Sequence, residues 1–127
     1  MAMNNENNCL QNKTNKMDHF LEICLLIILS IQSGYGYDLM TQLTEFGFSP
    51  SKLNIGSLYR ILRKMEGRNL VFSQWESSTL GPKKRIYQIT EVGCNELADW
   101  MRILKERQIK ITFVIDKYQG IKGDKKR

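Results

Sequence analysis

The sequence predicts a mainly α-helical fold carrying a small two-stranded antiparallel hairpin, and three observations predict it. Apolar residues recur at helical spacing from residue 17 to about 68. Two short stretches, 70–76 and 84–90, then alternate with the two-residue period of strands around a turn containing Gly81 and Pro82. The last third returns to helical spacing and holds it for about 28 residues. At 127 residues the chain fits a single domain, and 42% hydrophobic with 25% charged residues is the balance of a folded protein.

Each element has a local reason. Residues 1–16 are Asn-rich and almost without apolar side chains, so they cannot offset their ordering entropy and are expected to be a disordered polar tail. Phe20, Leu21 and the unbroken apolar run from Ile23 to Leu29 leave no polar face, which predicts a first helix buried nearly all round. Residues 30–34 break it. Leu39, Met40, Leu43 and Phe46 follow i, i+3, i+4, i+7 spacing and predict a second helix over 36–46, closed by a loop at Gly47, Ser49 and Pro50.

Asn54 is the expected N-cap of a third helix reaching about Arg68, with Ile55, Leu58, Ile61, Leu62 and Met65 as its inward stripe. Asn69 suits the left-handed residue that ends it. After the hairpin, Thr90 caps a long final helix and Glu91 favours its first turn. Leu97, Met101, Leu104, Gln108, Ile111, Ile115 and Tyr118 repeat at steps of four and three, a seam that Cys94 extends backwards. At ~1.5 Å per residue such a helix is ~42 Å long, more than so small a domain covers, and a second subunit is its natural cover. The β-branched stretch 109–115 also admits an end near Gln108. The expected organisation is a tail at 1–16, a domain at 17–90, a pairing helix at 91–119 and a basic tail at 120–127.

Nineteen Lys and Arg against thirteen Asp and Glu give a net charge of +6, which favours a polyanionic partner. Three cysteines without a CxxC and a single histidine argue against a disulfide framework and a metal site, and no cofactor is expected. One histidine with no placed nucleophile or carboxylate pair supports no triad, and no phosphate-binding loop is present, so no catalytic residue is assigned. The apolar run of the first helix is far shorter than the ~20 residues of a membrane span. Asp18 and Glu22 also spoil it as a signal peptide. A reducing, cytoplasmic setting is expected, with no membrane partner.

Three helices followed by a hairpin are the order of a winged helix-turn-helix, and the charges agree with it. With the apolar stripe of the third helix inward, Ser57, Arg60 and Lys64 form an outward stripe with Arg63 beside it. Five bases and one acid between Lys52 and Arg68 make a local +4. Lys83, Lys84 and Arg85 of the hairpin raise it to +7, so the rest of the chain nets −1. Lys52, Ser57, Arg60, Arg63, Lys64, Lys83, Lys84 and Arg85 are therefore the candidate contacts to double-stranded DNA. Arginine is suited to guanine edges and lysine to phosphate.

Gly56-Ser57-Leu58-Tyr59, followed by Leu62, Met65-Glu66 and Leu70-Val71, resembles the recognition helix of the PadR-like transcriptional regulators. The stretch from Gly81 to Gly93, GPKKRIYQITEVG, is similar to that family's wing and the entry to its last helix, and Gly36-Tyr37-Asp38-Leu39 to the start of its second helix. The resemblance covers about residues 20–118. It implies a homodimeric repressor on a pseudo-palindromic operator, paired through its last and first helices, with release by a small molecule or stress signal. On that basis Phe20 and Ile23 join Leu97, Trp100, Met101, Leu104, Gln108, Ile111 and Ile115 as interface candidates, and Tyr59 becomes a candidate phosphate contact. Tyr35 stands where relatives usually have His, and Ile55 and Arg60 where they usually have Pro, so the operator need not match theirs.

Trp100 has two readings: interface packing, or one half of a sandwich around a planar effector. Cys94 is a small apolar seam residue or a redox sensor near a helix N-terminus. Gln108 suits setting of register. Trp75 is expected to pack in the core or wing and His19 to face solvent, while Tyr87 has two readings, a phosphate contact carried over from the resemblance or wing packing. The competing function is a winged-helix adaptor that binds a protein partner and no DNA.

Overall fold

In the computed structural model of the chain, residues 19–49, 51–76, 81 and 83–125 are described. The expected N-terminal tail, with Cys9, and most of the hairpin turn lie outside them. Helix α1 (residues 19–31) sinks Leu21, Ile23, Cys24, Leu25, Leu26, Ile28 and Leu29, in keeping with its lack of a polar face. Strand β1 (Gly34–Tyr35) leads directly into α2 (Gly36–Leu43), and a 3-10 turn (Thr44–Phe46) ends at Gly47 with φ 90°. The second helix is thus shorter than its apolar spacing suggests, because its last turn tightens.

Helix α3 (Ile55–Gly67) starts at the expected cap: the Ser57 N–H donates to Asn54 Oδ1 at 2.8 Å. Leu58, Ile61, Leu62 and Met65 are buried, and Asn69 holds φ 62° just beyond its end. Strands β2 (Val71–Glu76) and β3 (Lys84–Ile89) form the wing in antiparallel register, with Ser73 opposite Tyr87 and Trp75 opposite Arg85. The hairpin has a third strand. β1 pairs antiparallel with the other edge of β3, giving the order β1-β3-β2 in place of the two strands expected. Two residues show no period, so only the open edge of β3 reveals this strand.

Leu25 and Leu26 of α1, Leu39 and Leu43 of α2, Leu58 and Leu62 of α3, and Val71 and Tyr87 of the wing meet in one core cluster. Each such side chain contributes ~1.5–3 kcal/mol of apolar transfer. Helix α4 (Glu91–Lys125) starts on the Thr90 hydroxyl, which accepts the Gly93 N–H at 2.9 Å. It runs past Gln108 and past residue 119, so the start of the expected basic tail is helical. Leu97 packs on the core, whereas Ile111 and Ile115 are exposed. No helix among the described residues is long and apolar enough to cross a membrane.

The two described cysteines differ sharply. Cys94 is exposed, and Cys24 is buried, with burial pushing its thiol up to about 11 from 9.0. Iodoacetamide is expected to modify Cys94 in the native protein and Cys24 only on unfolding, read by peptide mass mapping; equal rates would contradict this packing. The unfolded thiol ionises near pH 9 while the folded one stays protonated to about pH 11. This group's share of stability is therefore whole below pH 9 and lost as pH rises through that window. Cys24→Ala should flatten that part of a denaturant-midpoint profile.

Candidate nucleic-acid interface

The core-facing stripe of α3 fixes what its other face presents. Arg60, Arg63 and Lys64 are exposed along α3, Lys52 on the loop before it, and Lys83 and Lys84 at the turn end of the wing. None of these six cations has an ion-pair partner among the described residues. The other two bases counted in the +7 do. Arg68 bridges Glu22 of α1 at 2.7 Å and Glu96 of α4 at 3.1 Å, which takes it out of the basic face. Its partners lie 46 and 28 residues away, beyond the reach of local pattern.

Arg85 is held inside the protein as well. Its Nε donates to Ser73 Oγ at 2.7 Å, the Ser73 hydroxyl faces the Glu66 carboxylate at 3.0 Å, and Arg85 Nη2 lies 3.5 Å from Glu66. The guanidinium also sits over the rings of Trp75 and Tyr87, with centroids 5.4 and 5.9 Å away. Arg85 thereby ties both wing strands to α3. Its geometry is that of a wing-positioning residue, and sequence reasoning missed Glu66 and Ser73 as its partners.

Apart from Lys64 and Arg68, the basic and polar candidates border one of two hollows. Lys52, Ser57 and Arg60 border a cavity of about 270 Å³ at the start of α3, floored by Leu21, Phe48 and Ile61. Tyr59, Arg63, Lys83, Lys84 and Arg85 border a larger cleft of about 640 Å³ between α3 and the wing. Tyr35, Tyr37 and Trp75 complete the larger cleft, with Asp38 at its rim. Trp75 lies outside the core: 61% of its surface is exposed. Gly36 brings the start of α2 against the Tyr59 ring, where a Cβ would overlap the Tyr59 hydroxyl. Tyr87 is buried beneath, its ring 6.5 Å from that of Tyr59, and burial raises its hydroxyl pKa.

The interface candidates also separate by burial. Ile23 is already buried within the single chain, and Leu97, Trp100, Met101 and Leu104 are half-buried. Phe20, Gln108, Ile111 and Ile115 are exposed. His19 is exposed yet meets the Trp100 ring edge-on at 5.8 Å, joining α1 to α4. No group of three or more potential metal ligands occurs among the described residues.

Comparison with known proteins agrees with this architecture. Residues 25–99 match the model of the transcriptional regulator PadR-like family. A PadR-like transcriptional regulator from Bacillus cereus is 30% identical, with a TM-score of 0.68 over 81% of this chain and 96% of that one. A PadR-like transcription factor from Bacteroides fragilis is 24% identical, with a TM-score of 0.72 over 82% and 98% of the two chains. Bacillus subtilis PadR, solved in complex with operator DNA, is 24% identical and superposes with a TM-score of 0.57 over 64% of this chain and 46% of that one. No curated protein sequence matches the chain significantly.

Proposed function

The chain belongs to the PadR-like family of transcriptional regulators, and from that premise we propose that it is a sequence-specific DNA-binding repressor. It acts in the cytoplasm as a homodimer, on a pseudo-palindromic operator, and a small molecule or stress signal releases it. The observation that carries this reading is the set of six cations on and just before α3 and at the turn end of the wing, none with an ion-pair partner among the described residues. A recognition helix enters the major groove while basic residues on either side neutralise phosphates. Arg60 and Ser57 are assigned to base edges, and Lys52, Tyr59, Lys64, Lys83 and Lys84 to the backbone. Arg63 lies beside them, and Arg85 holds the wing in place. The proposal gives the chain no catalytic step. The bound operator of the Bacillus subtilis protein is a relative's property and supports the reading by analogy.

Two-fold pairing sets half-sites ~34 Å apart in successive major grooves. The test is a salt titration on duplexes selected from the source genome. If Z phosphates are contacted, log K is expected to fall with log salt at a slope near −0.9Z. Arg60→Ala with Lys84→Ala should weaken binding by at least ~10-fold, each lost charged contact being worth ~1–3 kcal/mol. Binding that ignores both salt and the double variant would instead favour the adaptor reading, a winged helix that meets a protein partner.

A further inference from the structure

We propose that the cleft between α3 and the wing binds unpaired nucleotides of a single-stranded nucleic acid, an activity separate from duplex recognition and independent of it. A single strand is held by two features side by side: ring faces on which its bases stack, and positive charge that follows its backbone. The cleft has both. Tyr35 on β1, Tyr37 on α2 and Trp75 on β2 line it, together with Arg63 of α3 and with Lys83 and Lys84 of the wing. Its volume, about 640 Å³, is in the range of sites that take in whole small molecules, ~300–1,000 Å³, so bases can enter it.

Two of the rings are open. Tyr37 and Trp75 are 73% and 61% exposed. Arg85 sits over the Trp75 ring at 5.4 Å and is itself fixed by Glu66 and Ser73, so the indole is a backed platform rather than a loose side chain. A duplex leaves such faces idle, because its stacked base pairs offer a protein only their edges. Unstacked bases use them, and every base has a π-face to offer. The charge stands beside the rings. Lys84 Nζ lies 5.6 Å from the centre of the Tyr35 ring, within reach of the phosphates that flank a stacked base. Arg63, Lys83 and Lys84 have no ion-pair partner among the described residues, and they outnumber the rim carboxylate of Asp38. Rings select bases without regard to sequence, and the surplus cations hold the backbone that joins them.

The probe is fluorescently labelled oligo(dT) of ~16 nucleotides, long enough for a site of ~4–16. An abasic strand of the same length keeps the phosphates and drops the bases, and serves as the control. Anisotropy titration of the intact protein is expected to show oligo(dT) bound at least ~10-fold tighter than the abasic strand. Its log K should fall with log salt at a slope near −2, about −0.7 for each of three phosphates. Trp75→Ala and Tyr37→Ala should each weaken oligo(dT) by ~5-fold or more, the lower end of the worth of one base–aromatic stack, and leave the abasic strand within ~2-fold. Trp75→Phe should recover most of the loss. Both side chains are largely exposed, and circular dichroism checks that the variants are folded. In a second arm, oligo(rU) with the same dependence on Trp75 supports the site, and the tighter of the two strands tells DNA from RNA. Oligo(dT) bound no better than the abasic strand, or indifferent to both alanine substitutions, overturns the site. So does a loss of duplex affinity equal to the loss for oligo(dT), which would give the rings to the duplex. A duplex bound where oligo(dT) is not overturns this site and spares the duplex reading. Oligo(dT) bound through Trp75, with no duplex bound at any salt, does the reverse.

Discussion

Ile111→Asp combined with Ile115→Asp is expected to convert the protein to a monomer by sedimentation velocity and to weaken operator binding by about 100-fold or more. That factor is the loss of a linked second half-site, whose contribution to avidity is ~10²–10⁴. The argument begins with the length of α4. Its 35 residues extend ~52 Å at ~1.5 Å each. The seam's early members, Leu97, Met101 and Leu104, are half-buried within the protomer. From Ile109 onward the helix has no such cover: Ile109, Ile111, Phe113, Val114, Ile115, Tyr118 and Ile121 are all exposed. So many large apolar side chains in about twelve residues exceed what a lone soluble surface carries. The unpaired stretch also gains no stability from packing, on which most helices depend. The double variant should therefore lose helical signal as well as mass, while the domain up to Thr90 keeps its melting transition. Both substitutions fall on exposed positions, so the protomer core is untouched. A wild type that sediments as a monomer at high concentration would sink the pairing argument at once.

The parts legible in the sequence were those whose cause is local. Asn54, Asn69 and Thr90 each occupy the helix boundary that their side-chain chemistry suggests, and the inward stripe of α3 follows from spacing alone. What was hidden depends on residues far apart in the chain. Strand β1 is extended because β3 has a free edge, and nothing in Gly34 and Tyr35 themselves signals it. The β-branched run 109–115 left two structures open, since β propensity is decided by neighbours more than by backbone preference. It continues as helix through Gly120 and Gly123.

The basic face was found by counting, and counting overstated it. Arg68 and Arg85 are both consumed by carboxylates, one linking α1 to α4 and one anchoring the wing. Trp75 was assigned to packing because large aromatic residues usually pack. Its exposed place beside Arg85 follows from the strand register, which fixes the pair across the wing.

Gly93→Ala is expected to cost about 3 kcal/mol or more, at or beyond the upper end of ordinary overpacking penalties. The reason lies at the joint between the wing and α4. The Leu70 carbonyl oxygen accepts the Thr90 N–H at 3.0 Å and faces the Thr90 hydroxyl at 3.0 Å, and that hydroxyl in turn accepts the Gly93 N–H. Gly93 is buried against this arrangement. A Cβ there would overlap the same Leu70 carbonyl and come within 2.8 Å of Ile89 Cγ1. Backbone cannot swing aside as a side-chain tip can, so relief requires moving β2 away from the start of α4 and breaking the cap. For a domain of this size each kcal/mol lowers the midpoint by roughly 4–8 °C, so a fall of more than 10 °C is expected by calorimetry. Gly120→Ala supplies the contrast, because its Cβ meets nothing within 4 Å and helical alanine is favoured over glycine by up to ~1 kcal/mol. If Gly93→Ala melted with the wild type, the close approach of Leu70 to α4 would be wrong. The path by which the wing and α4 hold a fixed orientation would then have to run elsewhere, through Arg68 and its two carboxylates.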